Sequence, residues 1–252
     1  MDQPVHTPAD APRRRPVLPS RLLTVADAYD INPGMRRVLL TVDDATDFTY
    51  RPGQDIVFLL PLGNGEFGRR HYTIRQFDRQ TGTLAVDFVM HGNTLGPNFA
   101  RGAKAGDTVE VKGPRGRVVF SGDADWHLLT GDETCIPAIL HILEELPEQA
   151  RAFAFIEVQD AGWHQDLQTK GDVAVEWIYR GNRAPGPSSL MLDRIADFAL
   201  PEGLGHALII GETSNVRAQR HHLINRGFAR EQIASEGYWR PGRAGGHDHV
   251  DD

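Results

Sequence analysis

Short apolar runs, each ended by a turn signal, fill the first half of the chain. Asn32-Pro33-Gly34 and Arg51-Pro52-Gly53 are typical of tight turns between strands. Six runs rich in Val, Leu, Ile and Thr predict strands at Leu22–Ala28, Met35–Thr41, Asp55–Leu60, Arg70–Gln76, Leu84–Val89 and Thr108–Lys112. Six short strands at this spacing predict a small antiparallel β-barrel.

The second half alternates strand-like runs with apolar residues at helical spacing. Strands are predicted at Trp126–Thr130, Phe153–Val158, Val173–Tyr179 and Ala207–Ile210, and helices at Ile136–Leu146, Leu190–Phe198 and Val216–Asn225. This alternation predicts an α/β domain with a parallel sheet and helices on both faces. We therefore expect a disordered tail over residues 1–16, a barrel domain over 17–122, an α/β domain over 123–247 and a tail over 248–252.

Composition narrows the function classes. The formal charge of −7 argues against a nucleic-acid partner, which would need a basic face. The single cysteine, Cys135, excludes an intramolecular disulfide and a multi-cysteine metal site. No apolar run reaches membrane-spanning length, so we expect no membrane span and a cytoplasmic location. No metal-ligand cluster is evident. The run Gly245–His249 is assigned to a frayed tail, and binding of a stray metal ion by its histidines and aspartate is the alternative.

The most informative motif is Arg70-His71-Tyr72-Thr73, inside a predicted strand. Side chains alternate along a strand, so Arg70 and Tyr72 share one face and Thr73 points to the other unless the strand twists there. A guanidinium suits phosphate and a flat ring suits a planar group, which are two needs of a flavin dinucleotide. An ordinary structural strand explains the same residues.

Three loops lie where strands end. In the stretch from His91 to Pro97, the proline suits a first helical turn, where free backbone N–H groups attract phosphate, although an ordinary turn is the alternative. Gly131–Thr134 and Gly211–Ser214 follow strands of the α/β half, the edge at which such sheets bind ligands. The acids in these two loops also suit helix caps. Gly237–Gly242 carries Tyr238 and Trp239, which either pack an interface or cover a cofactor ring.

Taken together, these motifs resemble the siderophore-interacting protein family, the flavin-dependent ferric-siderophore reductases, over about residues 16–247. The family is built like ferredoxin–NADP reductases, with an N-terminal flavin barrel and a C-terminal nucleotide domain. The motifs that carry the likeness are Arg70–Arg75, Asp87 with His91-Gly92 and Gly96-Pro97, Gly131–Thr134 with Pro137–Ile139, Gly211-Glu212 with Arg217, and Gly237–Arg240 with Gly242.

The resemblance implies a role for each motif. Arg70 contacts the FAD phosphates, and Tyr72 and Thr73, the implied catalytic pair, lie against the isoalloxazine ring and near its N5 atom. The other residues that it assigns to FAD or the nicotinamide nucleotide are His71, Asp87, His91, Gly92, Gly96, Pro97, Asp132, Glu133, Thr134, Glu212, Arg217, Tyr238 and Trp239.

Three positions depart from the family pattern. Ile210 stands where an aromatic residue often precedes the Gly-Glu pair. Val57 stands where many relatives carry a lysine that meets the siderophore, so Arg51, Arg240 and Arg243 become the substitute candidates for substrate binding. Cys135 stands where a small apolar residue is usual, and we interpret it as a buried packing thiol.

The implied activity is an FAD-dependent ferric-siderophore reductase that releases iron as Fe(II). Electrons come from NADH or NADPH through FAD, with a reduced ferredoxin as another donor, and the protein is expected to be a monomer. A nicotinamide gives two electrons together and iron(III) takes one, and a flavin bridges the two. A flavin reductase with a non-iron acceptor and a non-catalytic siderophore carrier remain the alternatives.

Overall fold

The computed structural model describes residues 17–250, and the tail predicted over residues 1–16 lies outside them. The first six strands are β1 (Ser20–Asn32), β2 (Met35–Thr41), β3 (Asp55–Pro61), β4 (Phe67–Asp78), β5 (Thr83–Val89) and β6 (Thr108–Arg115). They form a closed barrel in the order β1-β2-β5-β4-β3-β6, and every pair is antiparallel. The predicted antiparallel barrel is confirmed.

Strand periodicity explains the barrel core. Along β2, Val38 and Leu40 are fully buried, whereas Arg37, which precedes Val38, is only partly buried. Successive side chains point to opposite faces, so the apolar set enters the barrel and packs with Phe58 and Phe88. A short helix, α1 (Leu95–Gly102), closes one end of the barrel through its buried small residues.

The second half is a six-stranded sheet. Its strands are β7 (Trp126–Asp132), β8 (Arg151–Val158), β9 (Asp172–Tyr179), β10 (Gly205–Glu212), β11 (Ile233–Trp239) and β12 (Asp248–His249). Their order is β12-β11-β10-β7-β8-β9, and all pairs are parallel except β11 with β12. The strand order reverses between β7 and β10, which is where open α/β sheets bind ligands.

Helices cover both faces of this sheet, as predicted. Leu129 belongs to the core that includes α2 (Ile136–Glu144), and α2 also touches β4 of the barrel. Its neighbour Leu128 points to the opposite face, where α3 (Leu190–Asp197) and α4 (Thr213–Asn225) pack. In the range 17–250 no helix has the length and apolarity that crossing a bilayer requires.

The C-terminal end differs from the expected tail. Asp248 and His249 form β12 opposite Gly237 and Glu236 of β11, and Val250 is 2% exposed. Strand β11 itself was not predicted, because Glu236 and Gly237 interrupt its apolar pattern. The pairing of residues 248–249 depends on this distant strand, so local sequence gave no sign of it.

The barrel and the sheet meet across buried polar contacts. Arg75 of β4 forms a two-pronged ion pair with Glu144 of α2, at 2.5 and 2.7 Å. His141 Nδ1 lies 2.6 Å from the carbonyl of Ile74, and its Nε2 lies 3.2 Å from the Tyr50 hydroxyl. These contacts hold α2 against the barrel.

Candidate functional site

A cleft lies between the barrel and the sheet and is open to solvent; its empty space, counted together with the adjoining solvent, is about 940 Å³. The residues lining it are Arg70, His71, Tyr72, Thr73, Asp87, Val89, His91, Thr94, Thr134, Pro137, Tyr238, Trp239, Arg243, Ala244, Gly245, Gly246 and His247. This set is called the cleft below.

The cleft opens where two barrel strands separate. Strand β4 pairs with β3 over residues 67–73, but it pairs with β5 only from Ile74 onward. Residues 70–73 are therefore uncovered along one edge, and all four line the cleft. Alternation alone would put Thr73 on the far face of an untwisted strand, but Thr73 lines the cleft together with Tyr72.

Tyr72 forms the aromatic floor of this opening. Its ring centroid lies 4.0 Å from that of Phe88 and 5.6 Å from that of Phe58, perpendicular to the latter. A Cβ at Gly96 would lie 1.7 Å from the Tyr72 hydroxyl oxygen, so only glycine fits there. Burial raises the pKa of Tyr72 well above its usual value, and the phenol is a neutral, flat surface.

A second pair of aromatics comes from the end of β11. Tyr238 is half-buried, and desolvation raises the pKa of its phenol well above the usual range. Trp239 donates its indole N–H to Asp132 over 2.8 Å, which holds the ring at the edge of the cleft. Of the two readings left open by the sequence, packing an interface and covering a cofactor, the structure shows that both residues lie at the interface and line the cleft.

The other end of the cleft is cationic and rich in donors. Arg70 lines this end of the cleft, and its guanidinium donates to the carbonyl of Arg69 over 2.9 Å. Helix α1 begins beside it, and its N-cap residue Thr94 makes no side-chain cap. First-turn N–H groups without a cap and an available guanidinium are the donor set that a pyrophosphate needs.

The predicted phosphate loop surrounds these donors. Gly92 has φ 53°, and its carbonyl accepts from Arg101 over 2.6 Å. His91 lines the cleft, and burial together with Arg101 lowers its pKa, which favours a neutral imidazole. Gly96 and Pro97 are buried in the first turn of α1. An aromatic floor beside a donor-rich, cationic end fits FAD.

The acids of the sheet loops hold the scaffold together and do not line the cleft. Asp132 accepts from the backbone N–H of Thr134 and of Glu212. Glu212 caps α4 by accepting from the N–H groups of Ser214 and Asn215, over 3.0 and 2.9 Å. The helix-cap alternative is therefore what the structure shows, and Thr134 alone of the predicted set in these two loops lines the cleft.

Glu133 is likewise engaged. Its carboxylate accepts hydrogen bonds from both terminal nitrogens of Arg180, over 2.7 and 2.5 Å, and both side chains are buried. This buried ion pair engages the Arg180 guanidinium within the protein. Asp87, by contrast, is buried at the cleft wall and accepts both prongs of Arg37, at 2.7 and 2.8 Å.

The predicted arginines fall in different places. Arg243 lines the cleft and pairs with Asp248, to which Arg240 also comes within 3.5 Å. Arg51 lies beside a separate hollow and donates to the carbonyl of Phe120. Arg217 is exposed on α4, away from the cleft lining.

Sequence reasoning missed the segment 244–247, which forms one wall of the cleft. The Gly245-Gly246-His247 run is recognisable in the sequence, but no local pattern indicates that it packs on Arg70. A Cβ at Gly245 would lie 2.7 Å from an Arg70 nitrogen, which shows how closely this backbone approaches the guanidinium. Val89, Thr94 and Pro137 carried no chemical signal and enter the lining through position alone. Cys135 is fully buried, as predicted, and burial raises its pKa.

Known proteins share this arrangement. Residues 61–118 match the siderophore-interacting FAD-binding domain, and residues 124–242 match the siderophore-interacting protein family. Ferric vibriobactin reductase ViuB of Vibrio cholerae is 34% identical over 246 residues, covering 88% of this chain and 90% of that protein.

Solved structures share the fold of this chain. A siderophore utilization protein from T. fusca superposes with a TM-score of 0.80 at 32% identity, covering 90% of this chain and 95% of that one. A ferredoxin NADP+ reductase from Neisseria gonorrhoeae, at 16% identity and a TM-score of 0.66, covers 87% of this chain and 99% of its own and shares the fold. The chain therefore belongs to the siderophore-interacting protein family.

Proposed function

We propose that this protein is an FAD-dependent reductase of ferric siderophores, which takes electrons from NADH or NADPH and releases iron as Fe(II). The single observation that carries the proposal is the cleft, where Tyr72 supplies a flat apolar floor and Arg70 with the start of α1 supplies phosphate donors. Membership of the family and the similarity to a ferric vibriobactin reductase support the same assignment.

Bound FAD would accept two electrons together and deliver them singly, which is the conversion that a nicotinamide donor and a ferric acceptor require. The chain's part is to bind and orient. Arg70 neutralises phosphate charge, Tyr72 orients a planar ring, and Thr73 offers a hydroxyl beside that ring. Tyr238 and Trp239 cover the sheet side of the cleft and exclude water from it.

The substrate side follows from charge. Hydroxamate and catecholate oxygens hold iron(III) strongly, and a lower charge on the iron weakens that hold. Arg243 lines the cleft and Arg240 lies beside it on the same segment, so these two cations would attract an anionic chelate at the mouth. Arg51, beside the other hollow, is not part of this proposal.

We further propose that the protein acts as a monomer in the cytoplasm, with a reduced ferredoxin as a second electron donor.

The test is an anaerobic titration of the FAD-loaded protein. NADH and NADPH are added separately, and loss of the flavin absorbance band is followed. A ferric siderophore is then added, and Fe(II) is trapped with a ferrous-specific dye. Return of the flavin band together with dye-bound Fe(II) supports the proposal. Re-oxidation by quinones but not by ferric chelates would assign a flavin reductase with another acceptor. A protein that binds ferric chelate but no FAD would be a carrier.

Arg70→Ala gives a sharper test of the cofactor assignment. Loss of a charged hydrogen-bond donor costs about 1.5–3 kcal/mol, so the Kd for FAD should rise about 10–100-fold. The matched control is Arg69→Ala, because Arg69 is the exposed neighbour on the same strand and does not line the cleft. Equal FAD affinity in wild type and Arg70→Ala would remove Arg70 from the phosphate site.

A further inference from the structure

Two imidazoles and a carboxylate converge at the junction of the barrel and the sheet. Asp55 Oδ2 lies 2.7 Å from His71 Nδ1 and 3.8 Å from His247 Nδ1. The three ligand atoms lie within 4.8 Å of one another. We propose that this cluster is a binding site for a divalent first-row transition metal ion.

The spacing suits such an ion. Metal–nitrogen and metal–oxygen bonds of about 2.0–2.2 Å place neighbouring ligand atoms roughly 3–4 Å apart. Of the two separations from Asp55 Oδ2, the one to His247 lies within this range and the one to His71 lies just below it, so an ion could enter with small side-chain shifts. Two neutral imidazoles with one carboxylate are a ligand set for Fe²⁺, Co²⁺ or Zn²⁺ and not for the oxygen-seeking Mg²⁺ or Ca²⁺.

The ligands are held from separate parts of the chain. Asp55 begins β3, His71 lies on the neighbouring β4, and His247 precedes β12. Their side chains are only 5%, 9% and 10% exposed, and the two imidazole rings lie 4.4 Å apart. His247 is fixed by stacking on Tyr238, with ring centroids 4.7 Å apart and planes 10° apart.

The surrounding charges favour a cation. Glu236 Oε1 lies 3.2 Å from His247 Nδ1 and adds a second buried carboxylate. Arg115 lies 3.4 Å from Asp55 Oδ1 and 3.9 Å from Glu236 Oε1, and it leaves Asp55 Oδ2 facing the imidazoles. With neutral imidazoles, two carboxylates against one guanidinium leave a net charge of −1, which a divalent cation would offset.

The site shares His71 with the residues that the family resemblance assigns to the cofactors, whereas Arg70 and Tyr72 are not part of it. It adjoins the cleft through His71 and His247, which line both. If the proposed reductase function holds, the released ferrous ion would emerge beside it, and that part of the inference rests on the proposed function. Metal binding itself does not, and it can be measured without any turnover.

The experiment is calorimetric titration of the untagged, FAD-loaded full chain with Zn²⁺, with FAD content measured separately by absorbance. We expect one equivalent to bind, and we expect His247→Ala to weaken it by roughly 100-fold or more, a larger loss than a residue outside the ligand set would cause. Asp55→Asn should do the same. His249→Ala is the matched control, because His249 is two residues away, 61% exposed and outside the cluster.

Chelation by the tail alone would give the opposite pattern. His249→Ala would then lose binding and Asp55→Asn would keep it, which would overturn the proposal. No stoichiometric binding to the wild type would overturn it as well. If Asp55→Asn melts early, His71→Gln replaces it, and retention of full affinity in that variant would also contradict the site. Loss of FAD without loss of Zn²⁺ binding would separate this inference from the proposed function.

Discussion

The indole N–H of Trp239 donates to Asp132 Oδ2 over 2.8 Å, joining the ends of β11 and β7 at the edge of the cleft. The same oxygen accepts the backbone N–H of Glu212 over 3.0 Å, so one carboxylate joins three strand ends. Its other oxygen accepts from Thr134. This arrangement makes Asp132 a positioning residue for the cleft wall.

Replacing Asp132 by Asn should destabilise the protein and loosen Trp239. The amide has one acceptor oxygen, so donors that now share two oxygens are left unsatisfied, at a cost of about 1–3 kcal/mol. Denaturant unfolding measures the loss, and tryptophan fluorescence of the native state reports the indole. The control is Asp160→Asn in an exposed turn, where Asp160 accepts from Gly162 N–H and the change should stay within about 0.5 kcal/mol. Equal losses in both variants would show that the Asp132 contacts stabilise the protein no more than the contact in the exposed turn does.

Glu144→Gln should weaken the contact between the two halves. Arg75 is 6% exposed and both its terminal nitrogens reach Glu144, so a neutral partner leaves a buried charge poorly compensated. We expect the free energy of unfolding to fall by about 1–3 kcal/mol. In the exposed pair Arg194–Glu176, Nε of the arginine donates to both carboxylate oxygens, and Glu176→Gln should cost less than about 1 kcal/mol. If the exposed pair proves to matter as much, burial is not the reason for the stability of the first pair.

Gly96→Ala should damage the aromatic floor of the cleft. The added Cβ would meet the Tyr72 hydroxyl at 1.7 Å and its Cζ at 2.6 Å, so the ring must move. We expect a loss of about 1–3 kcal/mol in stability and weaker FAD binding. In a Tyr72→Phe background the closest atom is gone, and the same substitution should cost less.

The matched control for Gly96→Ala lies in the same helix. A Cβ at Gly102 would meet nothing within 4 Å, and alanine there should be neutral or slightly stabilising. A cost for Gly96→Ala that is unchanged in the Tyr72→Phe background would show that Tyr72 is not what excludes a side chain.

His127 should make the protein sensitive to acid. Burial, with a smaller contribution from His206, lowers the pKa of His127 to about 4, from about 6.5 in the unfolded chain. The folded state therefore favours the neutral imidazole of His127. The resulting contribution to the free energy of unfolding is fully present above pH 6.5 and is lost as the pH drops toward 4. We expect about 2–3 kcal/mol to be lost over this interval.

Denaturant unfolding at several pH values tests this. His127→Gln, which does not titrate, should flatten the slope of stability against pH between 6.5 and 4. The exposed His221→Gln serves as the control and should leave that slope as in the wild type. A slope that is unchanged in His127→Gln would mean that another group is responsible.

Much of the architecture could be predicted because it is written locally. Alternating apolar residues and turn signals predicted the six barrel strands, and helical spacing predicted α2, α3 and α4. Residues 70–73 were predicted as the centre of the site, since a guanidinium two residues before an aromatic is visible in one short motif. Strands β11 and β12 were not predicted, because their pairing depends on partners and not on their own apolar pattern.

The sequence by itself determined which segments become strands and helices and which short motifs carry phosphate donors and flat rings, because these properties depend on neighbours in the chain. Only the tertiary structure decided which polar residues face the cleft. Asp132, Glu133 and Glu212 stand at ligand-binding strand ends, yet they are engaged by Trp239, Arg180 and the start of α4. Asp55 and His71 belong to the barrel strands and His247 directly precedes β12, yet the three residues come together in the folded protein. A carboxylate's role is set by the donors that reach it first, and those donors are brought there by the packing of the sheet against the barrel.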